Sequence, residues 1–222
     1  KNFKITFMKN NSLELPLKNL VRAPKPTSEK SPAIFFLHGF GSNMEDLYSL
    51  SSSFPKEWAC ISLQASILIE LNGWAWADLN FENLSKLPDP DQMRKHQRMV
   101  TASIKKSVEE LNLDRKRINL LGFSQGASLA IYSGLMNVDL FSTITALCGF
   151  MPLEEIGNEI EDKDLSSINL FMGNGIQDQV VAIERAEKTF KSLSDLGITP
   201  QFKKYNAEHT ISYECLQDVL SF

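Results

Sequence analysis

The chain has 222 residues, of which 43% are hydrophobic, and a formal net charge of −4. This length predicts a single domain over residues 1–222. The charge argues against nucleic acid or an anionic membrane surface as a partner, and no apolar run is long enough for stable membrane insertion. The three cysteines show neither metal-ligand spacing nor a disulfide framework, so we expect a reducing, cytoplasmic location.

The amino-terminal region, residues 1–30, is predicted to form strands and a loop. Residues 1–22 alternate loosely between apolar and polar side chains, which indicates two strands joined by a turn. Residues 23–32 are polar and interrupted by proline, which is typical of a loop.

A buried strand is predicted at residues 33–37, because the run Ala-Ile-Phe-Phe-Leu is apolar throughout. It leads directly into His-Gly-Phe-Gly-Ser at residues 38–42. A glycine-rich loop at the end of a central strand can direct backbone N–H groups at a ligand. We therefore predict that Phe40, or alternatively Gly41, donates to an oxyanion. A plain glycine turn is the alternative.

Residues 44–54 are predicted to form a helix and residues 59–63 a buried strand. The next segment, residues 67–76, has little periodicity and contains two of the three tryptophans. Leu71, Trp74 and Trp76 are predicted to line an apolar substrate groove. The alternative is a surface loop anchored on the core by its aromatic rings.

A long helix is predicted over residues 89–111. Its cationic residues indicate a solvated face. His96 lies among Arg94, Lys95 and Arg98, which favours a solvent-exposed histidine.

The most informative stretch is Gly-Phe-Ser-Gln-Gly at residues 122–126, between a strand-like run at 118–121 and a helix-like run at 127–135. Gly-x-Ser-x-Gly in this setting is typical of the nucleophile elbow, a sharp turn that presents the serine hydroxyl. A Cβ at either glycine would clash in so tight a turn. Ser124 is the predicted nucleophile, and the N–H of Gln125 is the predicted second oxyanion donor. A structural turn with an incidental serine is the alternative.

The remaining chain continues the alternation of strand and helix. Strands are predicted at residues 143–148, 168–172 and 200–205, and helices at 182–196 and 211–222. This order predicts an α/β fold with a mostly parallel central sheet and helices on both faces.

A serine nucleophile needs a base, and the base needs a third group that orients it. His209 is the only histidine after Ser124, and it lies in a polar turn after the last predicted strand. Asp178 follows the 168–172 strand and is the predicted acid, with a helix N-cap as its alternative role. Four other aspartates lie in less suitable helix-end or acidic-loop settings: Asp139, Asp162, Asp164 and Asp195. This chemistry requires no metal and no organic cofactor.

Several motifs together resemble the phospholipase/carboxylesterase family of α/β-hydrolases. They are Leu-His-Gly-Phe-Gly at 37–41, Gly-Phe-Ser-Gln-Gly at 122–126, Gly-Asn-Gly-x-x-Asp-x-Val-Val at 173–181 and His-Thr-Ile-Ser at 209–212. The Trp-Ala-Trp-Ala-Asp segment at 74–78 is similar to the family's aromatic segment. The chain departs from the family pattern at Cys148, Ala182 and Glu208, where serine, proline and glycine are usual.

The resemblance implies an α/β-hydrolase fold without a large cap domain, and triad roles for Ser124, Asp178 and His209. It also implies oxyanion roles for Phe40 and Gln125, a small-molecule ester or thioester substrate, and a possible homodimer. We therefore expect a serine hydrolase that cleaves esters or thioesters of short-to-medium acyl chains. The alternatives are a non-catalytic protein of the same fold that binds an acyl ligand or a partner, and a dienelactone-type hydrolase, which would have cysteine at the elbow.

Overall fold

The computed structural model describes residues 11–69, 73–79 and 88–222. In these residues the strands and helices are, in chain order, β1 (Asn19–Arg22), β2 (Ala33–Leu37), α1 (Met44–Tyr48), β3 (Ala59–Leu63), β4 (Ile67–Leu68), β5 (Trp74–Ala75), α2 (Pro90–Glu110), β6 (Ile118–Phe123), α3 (Gln125–Met136), β7 (Thr143–Leu147), α4 (Gly157–Ile160), β8 (Leu170–Gly175), α5 (Ile183–Asp195), β9 (Gln201–Tyr205) and α6 (Tyr213–Ser221). Short 3₁₀ helices occupy Ser49–Ser53 and Leu153–Glu155.

The central sheet comprises seven strands of the described chain, in the order β1-β3-β2-β6-β7-β8-β9. β1 pairs antiparallel with β3, and every other neighbouring pair runs parallel. Phe35 of β2 lies opposite Leu120 of β6, and these two buried strands lie in the interior of the sheet, with β3 on one side and β7 on the other. The predicted mostly parallel sheet is confirmed.

Apolar clusters cover both faces of the sheet. Phe35 faces the larger cluster, to which α2, α3 and α5 contribute. Ile34 and Phe36 face the other cluster, which includes Leu47 of α1 and Val219 of α6. Because successive strand residues point to opposite faces, a continuous apolar strand such as β2 requires helices on both sides, as predicted.

The amino-terminal region and the predicted 44–54 helix differ from the structure. The second amino-terminal strand lies at Asn19–Arg22, after the leucine-rich stretch. The Asn19 side chain explains the shift. Its Oδ1 accepts the Leu13 N–H at 2.9 Å, and its Nδ2 donates to the carbonyls of Leu13 and Leu17, both at 3.0 Å. These bonds close the leucine-rich stretch into a turn. The first predicted strand lies outside the described residues. The predicted 44–54 helix changes to 3₁₀ geometry at Ser49, whose hydroxyl bonds the Asp46 carbonyl.

The parallel strands direct their carboxyl ends to one edge of the sheet. The loops after β2, β6 and β8 and the turn after β9 meet there, which is where open α/β sheets place ligands. None of the described helices is long and apolar enough to cross a membrane.

Candidate active site

Ser124 stands in the sharp turn between β6 and α3, with a φ of +55°. Two glycines make the turn possible. A Cβ on Gly122 would lie 2.0 Å from the Gly126 carbonyl oxygen, and a Cβ on Gly126 would lie 2.1 Å from that of Leu37. The Ser124 N–H donates to the Leu147 carbonyl on β7 at 2.8 Å, which ties the turn to the sheet.

Ser124, His209 and Asp178 form a continuous hydrogen-bonded line. The Ser124 hydroxyl oxygen lies 3.0 Å from Nε2 of His209. Nδ1 of the same ring lies 2.6 Å from Oδ2 of Asp178. The structure thus brings together the three side chains predicted to form a triad, although they come from three separate loops.

The Asp178 carboxylate is held rigidly in the turn after β8. Its side chain is fully buried, and Oδ1 accepts the N–H groups of Val180 and Val181, each at 2.8 Å. The other oxygen is thereby directed at His209. The alternative N-cap role does not apply, because α5 begins at Ile183 and its N-cap residue is Ala182.

The turn that carries His209 packs tightly against β8. A Cβ on Gly175 would lie 2.2 Å from the Ala207 carbonyl oxygen and 2.4 Å from that of Glu208, so only glycine allows this approach. The Phe123 ring, 4.9 Å from the imidazole, supports His209 from the elbow side.

Two backbone N–H groups beside Ser124 are available to an oxyanion. Those of Phe40 and Gln125 have no hydrogen-bond partner among the described residues. The N–H of Gly41, the alternative donor, is occupied, because it donates to the Trp74 carbonyl at 2.9 Å. The geometry therefore favours Phe40 over Gly41.

Trp76 connects the loop after β2 with the start of α3. Its indole N–H donates to the His38 carbonyl at 2.7 Å, and its backbone N–H donates to Oε1 of Gln125 at 2.8 Å. Nε2 of Gln125 completes the link by donating to the Ala77 carbonyl at 2.6 Å. Trp76 is completely buried, so its prediction as a groove-lining residue is wrong.

Of the other two predicted groove residues, the structure describes Trp74. Trp74 is half-buried under the Lys18 ammonium, 5.5 Å from its ring, and it does not line the cavity described below. Its backbone pairs antiparallel with Leu68 of β4. Leu71 lies outside the described residues.

His38 and His96 flank the Trp76 ring, at 5.1 and 5.5 Å between ring centroids. Both are buried, so the prediction of a solvated His96 is wrong. His38 donates from Nδ1 to the Gly39 carbonyl and accepts the Ala65 N–H at Nε2, which fixes one neutral tautomer. Burial lowers the pKa of His38 to about 4, and burial also lowers the pKa of His96.

A cavity of about 250 Å³ opens onto Ser124 and His209. Much of its lining is apolar, and the residues responsible are Phe40, Leu79, Pro88, Phe150, Val180 and Val181. Ser128 and Arg185 also contribute. Sequence reasoning missed most of these residues. Their position in the chain was the available signal. Phe150 follows β7 and the two valines follow Asp178, and both segments lie at the carboxyl edge of the sheet, where the site is.

Cys148 lies beside the triad with a φ of +51°. Its sulfur lies within 4.8 Å of ligand-type atoms of Asp178 and His209, and it donates to the Thr210 carbonyl at 3.4 Å. Burial, and then the charge of Asp178, raise the pKa of this thiol to about 11.

Comparison with known proteins leads to the family that the sequence motifs resemble. The profile of the phospholipase/carboxylesterase family matches residues 20–222. The chain is 27% identical over 195 residues to acyl-protein thioesterase 1 homolog 2 of Dictyostelium discoideum, covering 82% of this chain and 85% of the relative. It is 26% identical over 226 residues to acyl-protein thioesterase 1 of Debaryomyces hansenii, covering 91% and 94%.

A solved structure extends the comparison to the fold. The carboxylesterase from Mesorhizobium loti superposes with a TM-score of 0.81 over 95% of this chain and 97% of that one, at 18% identity. The fold is therefore that of the α/β-hydrolases. The chain belongs to the phospholipase/carboxylesterase family and is a hydrolase of the esterase and thioesterase class.

Proposed function

We propose that this protein is a serine hydrolase that cleaves carboxylic esters or thioesters of short-to-medium acyl chains through an acyl-enzyme. The observation that carries the proposal is the hydrogen-bonded line from Ser124 through His209 to Asp178, at the mouth of a cavity. A non-catalytic binding protein would have no need of this alignment.

Each residue has a distinct role in the proposed mechanism. His209 takes the proton of Ser124 as the serine oxygen attacks the carbonyl carbon. Asp178 holds the imidazole in the tautomer that leaves Nε2 free, and it stabilises the imidazolium that forms. His209 then protonates the leaving alcohol or thiol. In the second half of the reaction the same nitrogen activates the water that releases the acid.

The oxyanion forms twice, once in each half-reaction. The N–H groups of Phe40 and Gln125 are the proposed donors, because neither is occupied within the described chain. Gln125 lies at the start of α3, where the helix dipole adds a partial positive charge. Preorganised donors of this kind supply much of the rate enhancement in acyl transfer.

The cavity supports the proposed substrate range. Its apolar lining suits an acyl chain, and its volume of about 250 Å³ favours a small substrate. Thioesters are included because the relatives cited above are named acyl-protein thioesterases. We further propose that the enzyme works in the cytoplasm, which is supported by its three free, buried cysteines. The homodimer stays a prediction.

The proposal is tested with p-nitrophenyl acetate, butyrate and octanoate at neutral pH. We expect Ser124→Ala to reduce kcat/KM by at least about a thousandfold, because the triad acts as a unit. Ser194→Ala, which changes an exposed serine on α5, is the matched control and should retain full activity. Wild-type protein that shows no turnover above Ser124→Ala and no labelling by a fluorophosphonate would contradict the proposal.

A further inference from the structure

We propose that Arg185 makes part of the cavity an anion-binding subsite, so that the preferred substrates are esters or thioesters bearing a carboxylate or phosphate group. This inference rests on the proposed function and narrows its substrate class. It starts from the position of Arg185, which lines the same cavity as Ser124 and His209.

The guanidinium group is oriented by an aromatic neighbour. Its central carbon lies 5.3 Å from the centroid of the Phe150 ring, and Phe150 lines the cavity as well. A guanidinium over a ring face is held by cation–π attraction, and its planar set of N–H donors matches the shape of a carboxylate or phosphate. An arginine fixed in this way loses less side-chain freedom when a ligand binds.

Charge distinguishes Arg185 from the other walls. Among the described residues that line the cavity, it has the only permanent charge, and none is a carboxylate. His209 can become charged only when it takes a proton. Because the other described lining residues are largely apolar, the attraction between this cation and a bound anion is screened less than it would be in water.

Helix stability does not explain the position of Arg185 in α5. It lies in the first turn, where the helix dipole disfavours a cation. Lys188, one turn later, instead forms a surface ion pair with Glu154. Arg185 also has a further interaction within the chain, and the proposal holds with that interaction in place, because a guanidinium has several N–H donors.

Two substrate pairs test the subsite and distinguish the source of the anion. Mono-p-nitrophenyl adipate and p-nitrophenyl hexanoate differ in a carboxylate at the far end of the acyl chain. Butyryl-glycerol phosphate and butyryl-glycerol differ in a phosphate on the leaving group. The quantity measured is the ratio of kcat/KM for the anionic ester to kcat/KM for its neutral partner, in wild type, Arg185→Met and Arg185→Lys.

In at least one pair we expect Arg185→Met to lower this ratio by about tenfold, with Arg185→Lys in between, because a bidentate charge-assisted contact is lost. The pair that responds identifies the anion as an acyl carboxylate or a leaving-group phosphate. Lys188→Met is the matched control on the same helix and should leave both ratios unchanged. Added salt should lower the wild-type ratio.

A fall of less than about threefold in both pairs for Arg185→Met would overturn the proposal, since charge-assisted contacts are worth more than that. So would an equal fall in Lys188→Met. Failure of the subsite remains distinguishable from failure of the proposed function. If the neutral esters are turned over in a Ser124-dependent way but the ratios do not respond, the subsite alone is wrong.

Discussion

Ser124 adopts a backbone conformation that residues with a Cβ rarely occupy. Its φ of +55° combines with a ψ of −117°, outside the regions that serine normally populates. The surrounding contacts hold it there, namely the hydrogen bond from its N–H to Leu147 and the close approach that Gly122 and Gly126 allow. Strain of this kind is common at catalytic positions and lowers the stability of the fold.

This strain predicts a difference between two inactive variants. Ser124→Gly should be more stable than Ser124→Ala by about 1 kcal/mol, because glycine adopts a positive φ freely and part of that gain is offset by its greater entropy when unfolded. Urea unfolding of both variants at neutral pH measures the difference. Equal stabilities, or a more stable alanine variant, would show that the elbow holds no such strain.

At the scale of elements, the segment that begins with β5 joins the two proposed oxyanion donors. Trp74 binds the backbone of Gly41 and Ser42, and Trp76 binds His38 on one side and Gln125 on the other. The loop after β2 and the start of α3 are therefore fixed relative to one another through a third element. We infer that Trp76 is a positioning residue, which acts on the reaction through the groups that it holds.

Replacing Trp76 by phenylalanine should lower kcat by about tenfold with little change in KM, because the His38 carbonyl loses its buried donor and the loop can shift. An isostere without the N–H, β-(3-benzothienyl)alanine, tests the hydrogen bond alone. Affinity for a trifluoromethyl ketone, which forms an oxyanion on Ser124, should fall in parallel with kcat/KM.

Trp58→Phe is the control for this experiment, since Trp58 packs beside Phe54, 6.1 Å between ring centroids, in the cluster on the other face of the sheet. It should leave kcat unchanged. If the Trp76 variants lost only thermal stability and kept wild-type kcat and ketone affinity, Trp76 would be structural and the positioning role would be wrong.

The site residues that could be predicted from the sequence are those fixed by local chemistry. Ser124 lies within a motif whose glycines are sterically required, and the order of serine, acid and histidine then indicated Asp178 and His209. Most of the strands could be predicted too, because short, largely apolar runs such as residues 33–37 and 59–63 are typical of strands that are buried on both faces. The extent of the single domain stays a prediction.

The errors came from side chains whose surroundings are set by distant parts of the chain. Trp76 could fill the core only because the elements carrying His38 and His96 pack around it. The burial of His96 could have been predicted from its spacing along the helix. It lies three residues after Met93 and four before Val100, which places it on the buried face of α2 in spite of its cationic neighbours.

At the scale of the whole molecule, the fold encloses two neutral histidines beneath the site. For His38 the folded-state pKa of about 4 lies below the ordinary value of 6.5, so the fold favours the neutral form. The stability that this provides is fully present above pH 6.5 and is lost as the pH falls from 6.5 toward 4. His96 acts in the same direction.

We therefore expect the free energy of unfolding to fall by about 3 kcal/mol on account of His38 between pH 7 and pH 4. Urea unfolding across this range measures the fall. His38→Asn is the comparison, since its amide can replace the Nδ1–H donor but does not titrate. The wild type should lose more stability than this variant on acidification. Parallel curves for the two proteins would contradict the prediction.

His209 follows the last strand of the sheet and is separated from Ser124 by 85 residues. During synthesis the elbow and the Ser124 hydroxyl therefore emerge from the ribosome well before His209, the proposed base. Until β9 has paired with β8 and the turn after it has settled over Gly175, the nascent chain holds a serine with ordinary alcohol reactivity. If the proposed mechanism holds, acyl transfer therefore begins only when folding is almost finished.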